Sequence, residues 1–279
     1  MRCPFLLRPL RRPHRRLVPL ALSLTLAATG LVGCREGTVR LTFSPEVGAV
    51  YRYEVEVRTV SETRLGEQSP EIREEDVVLT AEHTVLRAGE DGVEVKVLLR
   101  EPGGPDRVFE VVFDRAAQLE EVQSIEGVPD DRLGMLGISE IFPAAAGAPP
   151  DRSLAPGASW IIDDVIQLPD GAAATELTGS GRLVELTLDG GQEVARLASA
   201  ARLPLVSVLA APGGSLRLSG SQVTEYAATL DLDDGAVREA TSNTVGSFDL
   251  EVGPPPGVGA DPVSGTLRVE VSSRTRLIE

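Results

Sequence analysis

Few residues in this chain carry the chemistry of a nucleophile, a general base or a metal ligand. Its 279 residues include two cysteines, Cys3 and Cys34, and two histidines, His14 and His83. In "LTAEHTVL" the side chains of Leu79, Ala81, His83 and Val85 alternate with Thr80, Glu82 and Thr84. That phase makes His83 a sheet histidine on the apolar face of a strand. A Ser-His-Asp triad would have to be built on it, yet the sequence contains no Gly-x-Ser-x-Gly elbow. A zinc site needs several His or Cys ligands, and only His83 and Cys34 follow the first 33 residues. Carboxylates are plentiful but uninformative: Glu74-Glu75-Asp76 and Asp163-Asp164 read as solvated strand positions. Glycosidase chemistry needs two carboxylates in a sugar-lined cleft, and Trp160 is the only tryptophan available to line one. "DLDDG" (231–235) offers Asp231, Asp233 and Asp234 to calcium, but lacks the later acidic ligand and the spacing of an EF-hand. A tight hairpin turn explains it better. The expectation is a non-catalytic protein with no cofactor and no metal.

Cys34 has a different chemistry. Arg2, Arg8, Arg11, Arg12, Arg15 and Arg16 are followed by an uncharged run from Leu17 to Gly33, the order of a secretory signal peptide. The run carries Pro19 and is shorter than the roughly 20 apolar residues of a spanning helix. It ends in Leu31-Val32-Gly33-Cys34, which resembles the lipobox of bacterial lipoproteins. The resemblance implies that the Cys34 thiol receives a diacylglyceryl group and that residues 1–33 are removed. Two acyl chains, at about 0.8 kcal/mol per buried CH₂, hold a protein on a membrane without spanning it. An aspartate after the cysteine would imply inner-membrane retention, and Arg35 stands there. The cell membrane and the outer membrane thus remain alternative destinations, as do the general and twin-arginine export routes.

Removing the leader takes six of 27 basic residues and none of 42 acidic ones, leaving 21 against 42 and a net charge of −21. Such a body is repelled by phosphate backbones, which excludes nucleic acid as a natural partner. The membrane is then met through the N-terminal lipid anchor, not through the surface of the fold.

The elements that must position everything else are strands. "YRYEVEVRTV" (51–60) alternates apolar and charged residues, and the same period returns at 93–99, 177–186, 216–223, 226–232 and 269–271. Acidic and glycine-rich turns separate these runs, so the sheet is antiparallel. "DDRLGMLGISEIF" (130–142) is the one helix candidate, capped by Asp130 or Asp131 and stopped by Pro143. Three landmarks recur in one order: Gly48-Ala49-Val50-Tyr51 with Gly157-Ala158-Ser159-Trp160, Gly92-Val93-Glu94-Val95 with Gly191-Gln192-Glu193-Val194, and Phe113-Asp114 with Leu232-Asp233. The expected fold is mainly β: an antiparallel curved sheet or half-open barrel of two related halves, about 41–125 and 155–279. One short helix and a linker (126–154) separate the halves. Residues 1–33 are the signal peptide, 34–40 the lipidated N-terminus and tether, and 41–279 a single β-rich domain.

A lipobox, a short tether, a long antiparallel sheet and a central helix together resemble the lipoprotein-carrier class of LolA, LolB and the mycobacterial glycolipid-binding lipoproteins. That resemblance implies a concave sheet face holding acyl chains under helical cover. Leu133, Leu136, Ile138, Ile141 and Phe142 on the helix are then the candidate ligand lining. The expected function is a membrane-anchored binding module for a hydrophobic ligand or lipid. The alternatives are an envelope structural or protein-partner-binding lipoprotein and, third, a hydrolase.

Overall fold

The computed structural model describes residues 37–90, 92–113, 119–126, 149–166, 175–211, 214–254, 259 and 261–278. Gly33–Glu279 forms one compact unit. Its strands are β1 (Val50–Leu65), β2 (Glu71–Gly89), β3 (Gly92–Arg100), β4 (Arg107–Phe113), β5 (Leu119–Glu126), β6 (Ser159–Ile166), β7 (Thr175–Asp189), β8 (Gln192–Ala211), β9 (Gly214–Asp231), β10 (Val237–Gly253) and β11 (Val263–Leu277). They make a single eleven-stranded sheet in the order β5-β4-β3-β2-β1-β11-β10-β9-β8-β7-β6. Every pairing is antiparallel. The ends β5 and β6 do not pair with each other, so this is a curved open sheet and not a closed barrel. No helix among the described residues is long and apolar enough to cross a membrane. The leader, Cys34 and the candidate helix with Leu133, Leu136, Ile138, Ile141 and Phe142 lie outside the described residues.

The strand order contains the same meander twice. β1 to β5 and β6 to β10 are laid side by side in the same direction, with β11 inserted between β1 and β10. The recurring landmarks occupy equivalent places. Gly48 (φ 87°) and Gly157 (φ 84°) both sit in the left-handed region just before β1 and β6, where a side chain would be strained. Gly48 N–H donates to Val85 O and Val85 N–H to Ala49 O, each at 2.9 Å. Gly157 N–H donates to Leu183 O (2.7 Å) and Leu183 N–H to Ala158 O (2.9 Å). One residue past each of these partners the register shifts, between Val85 and Arg87 in β2 and between Leu183 and Glu185 in β7. Such bulges increase local twist.

Curvature follows from a strap, residues 37–49, that crosses the end of the sheet where β1 begins. β4 and β10 are five strand spacings apart in the sheet order, about 24 Å if the sheet were flat. Yet the Phe43 ring meets Phe113 of β4 edge-on at 6.0 Å, and Ser44 N–H donates to Asp234 O in the β9–β10 turn at 2.7 Å. Two neighbouring residues reach both only because the sheet curls around them. We call this the proximal end. Val39 pairs with Leu154 to extend the cover, and Leu41, Phe43 and Leu154 are all buried.

Candidate functional site

Cross-strand pairing divides the side chains into two faces, since opposed residues point the same way. The outer face carries charge. Arg52 pairs with Glu82 at 2.9 Å, Arg274 with Glu239 at 2.7 Å and Arg196 with Glu185 at 2.7 Å, the neighbours expected of a solvated face. The inner face begins at the proximal end as a filled core. Val55, Val95, Val97, Val111 and Phe113 are at most 1% exposed.

His83 belongs to that core, as the alternation of its strand requires. It is buried, with its ring 4.9 Å from that of Tyr53. Burial lowers its pKa from 6.5 to about 4, so it is a neutral imidazole near pH 7. Asp231 and Asp234 are consumed by the β9–β10 turn. Asp231 Oδ1 accepts from Asp233 N–H at 2.9 Å, and Asp234 Oδ1 from Ala236 N–H at 2.8 Å. The other Asp234 oxygen accepts from the Tyr51 hydroxyl at 2.6 Å. Burial, then the bond to this carboxylate, raises the Tyr51 pKa well above the ordinary tyrosine value. No group of three or more His, Cys, Asp or Glu among the described residues is placed to hold a metal ion.

Beyond the core, the inner face turns polar in a belt across the sheet. Ser199, Tyr226, Ser242 and Ser273 stand side by side on β8 to β11. The Ser242 and Ser273 hydroxyls are 2.8 Å apart, and those of Thr224 and Thr244, one row further along, are 2.9 Å apart. At the β6 side, Trp160 lies flat over Gly181, where a β-carbon would collide with the indole. Its indole Nε1 is buried and has no hydrogen-bond partner among the described residues. An unmet buried donor costs free energy and calls for an explanation.

Past the belt, towards the distal end, the inner face is mostly apolar on β8 to β11, with Gln222 among its residues, and less buried, while on β1 and β2 it carries Thr59, Ser61 and Thr63 opposite Glu75, Arg73 and Glu71. Along β1 the fully buried positions stop at Val55, and the inner-face residues Val57, Thr59, Ser61 and Thr63 are half-buried. The floor here is supplied by the long strands. Leu205, Gly220, Phe248 and Leu267 form one row, and Leu218, Leu250, Gly265 and Leu65 the next. Phe248 is pressed onto the sheet: a β-carbon at Gly246 would come within 2.6 Å of its ring, and one at Gly220 within 2.8 Å. Gly246 and Gly220 leave the room that the ring occupies against the sheet. The result is an apolar field of Leu65, Leu203, Leu205, Leu216, Leu218, Phe248 and Leu267, half-buried throughout.

Of the residues expected to form a site, Cys34 and the helix set lie outside the described residues. The strand residues of the distal field were not singled out beforehand. "GSLRLSG" and "GSFDLEV" do alternate apolar with polar residues, and that phase places Leu216, Leu218, Phe248 and Leu250 on one face. Cross-strand register was needed to bring them together. No protein-family model and no curated protein matches this chain.

Proposed function

We propose that this protein is a non-catalytic lipoprotein of the bacterial cell envelope, held on the cell membrane or outer membrane by lipid on Cys34. Its ligand is hydrophobic, with an acyl chain that lies on the distal inner face. The apolar field around Phe248 carries this reading: a half-buried apolar surface on an otherwise strongly acidic chain needs a partner that removes it from water. The hydroxyl belt and the unmet Trp160 Nε1–H suit the polar end of an amphiphile, a carbonyl or ester oxygen, better than a hydrocarbon. The proposed lining extends to Leu133, Leu136, Ile138, Ile141 and Phe142, which lie outside the described residues.

A catalytic role finds little support. The one histidine after the leader is in the core, and the acidic turn is occupied by its own backbone and Tyr51. A second reading, an envelope module that binds another protein, draws on the two open sheet edges.

The test is retention of co-purifying lipid. Leu218→Asp with Phe248→Asp should abolish it while leaving the β-sheet circular dichroism unchanged, because both positions are only half-buried. Retention at wild-type level in that variant removes the field from the site. Leu136→Asp with Ile141→Asp asks the same question of the helix.

A further inference from the structure

The edge strand β6 combines features that the lipid reading does not use. Ile161 is 83% exposed, the most exposed large hydrophobic side chain among the described residues, and it lies on the outer face beside the exposed Asp163. β6 pairs with β7 on one side and, among the described residues, ends the strand order on the other. The ladder alternates: Ala158 O accepts from β7, so Trp160 and Ile162 face β7 while Ser159, Ile161, Asp163 and Val165 turn their backbone groups to the open edge. Arg152 Nη2 donates to Ser159 O at 3.2 Å, which caps the first of these groups and leaves the next three as a template. Natural edge strands are shortened, bulged or charged against indiscriminate pairing. Here the exposed Asp163 puts a formal negative charge beside Ile161, and the sequence of the opposite edge strand β5 contains Glu120, Glu121 and Glu126.

We propose that the open edge of β6 is a docking site for an extended, basic segment of another envelope protein, which adds as a further antiparallel strand. Its side chains alternate, an apolar one covering Ile161 and a cationic one meeting Asp163. A second copy of this chain is the wrong occupant, since either of its edges would bring acid against acid in a molecule of net charge −21 after leader removal. Main-chain hydrogen bonds supply the affinity and the alternating pair supplies the choice of partner.

The test uses the full chain in a neutral detergent with two labelled peptides, one alternating arginine with valine and one alternating glutamate with valine. The arginine peptide should bind saturably and slow amide exchange at Ile161, Asp163 and Val165, and the glutamate peptide should not bind. Ile161→Pro removes an edge-facing N–H without touching the β7 ladder, a place where edge strands accept proline, and should abolish that protection. Asp163→Lys, at an exposed site, should weaken the arginine peptide about fivefold and strengthen the glutamate one. Four results overturn the proposal: no binding of the arginine peptide, protection elsewhere than β6, binding unchanged in both variants, or a concentration-dependent dimer that Ile161→Pro dissolves. The experiment contains no lipid ligand, so its failure leaves the inner-face reading standing, and the reverse is also true.

Discussion

At the scale of single residues, the core histidine gives the clearest expectation. The folded His83 holds its proton less tightly than an unfolded one, with a pKa of about 4 against 6.5. A depressed pKa on a base favours the neutral folded state, so its contribution is complete above about pH 6.5 and is lost as the pH falls to 4. Over that window the wild type should lose roughly 3 kcal/mol more than His83→Leu in denaturant unfolding. Parallel curves for the two proteins would contradict the burial. Alternation within "LTAEHTVL" was enough to place this residue, because a strand side chain has only two directions to choose from. Trp160 was different. Its packing depends on Gly181 across the β6–β7 pair, and no local pattern announces which strand will stand opposite.

At the scale of elements, the strap decides whether the proximal end holds its curl. Phe43 touches both Tyr51 and Phe113 and is 9% exposed. Phe43→Ala should therefore cost about 3 kcal/mol, measured as a fall in the denaturation midpoint. A loss below about 1 kcal/mol would mean that the strap only lies on a sheet curled by its own bulges. The strands themselves were legible from period-two alternation and turn residues. The doubled meander was legible from three landmarks, the clearest being the left-handed glycine before β1 and before β6. The strap was not legible. "RLTFSPEVG" (40–48) has neither strand nor helix period beyond a few residues, and its place is fixed by partners far along the chain, among them Leu154 and Asp234.

At the scale of the whole molecule, the strap and the apolar field lie at opposite ends of the sheet: residues 37–49 cross the proximal, filled end, and the apolar field occupies the distal half. The proposed anchor is lipid on Cys34. On this account Cys34→Ser should release the protein from the membrane fraction and block its labelling with radioactive lipid precursor, without changing its fold. A Cys34→Ser protein that still fractionates wholly with membranes would show that the anchor lies elsewhere. The central claim, that the inner face holds a hydrophobic ligand, is tested most directly by native mass spectrometry with lipid extraction. The sample is residues 35–279, nearly the whole of the compact unit, purified under mild conditions beside the Leu218→Asp, Phe248→Asp variant. The account predicts a stoichiometric adduct that extracts as lipid from the wild-type sequence and is missing from the variant. A clean apo mass for both, with cooperative unfolding, would contradict it and turn attention to the edges of the sheet.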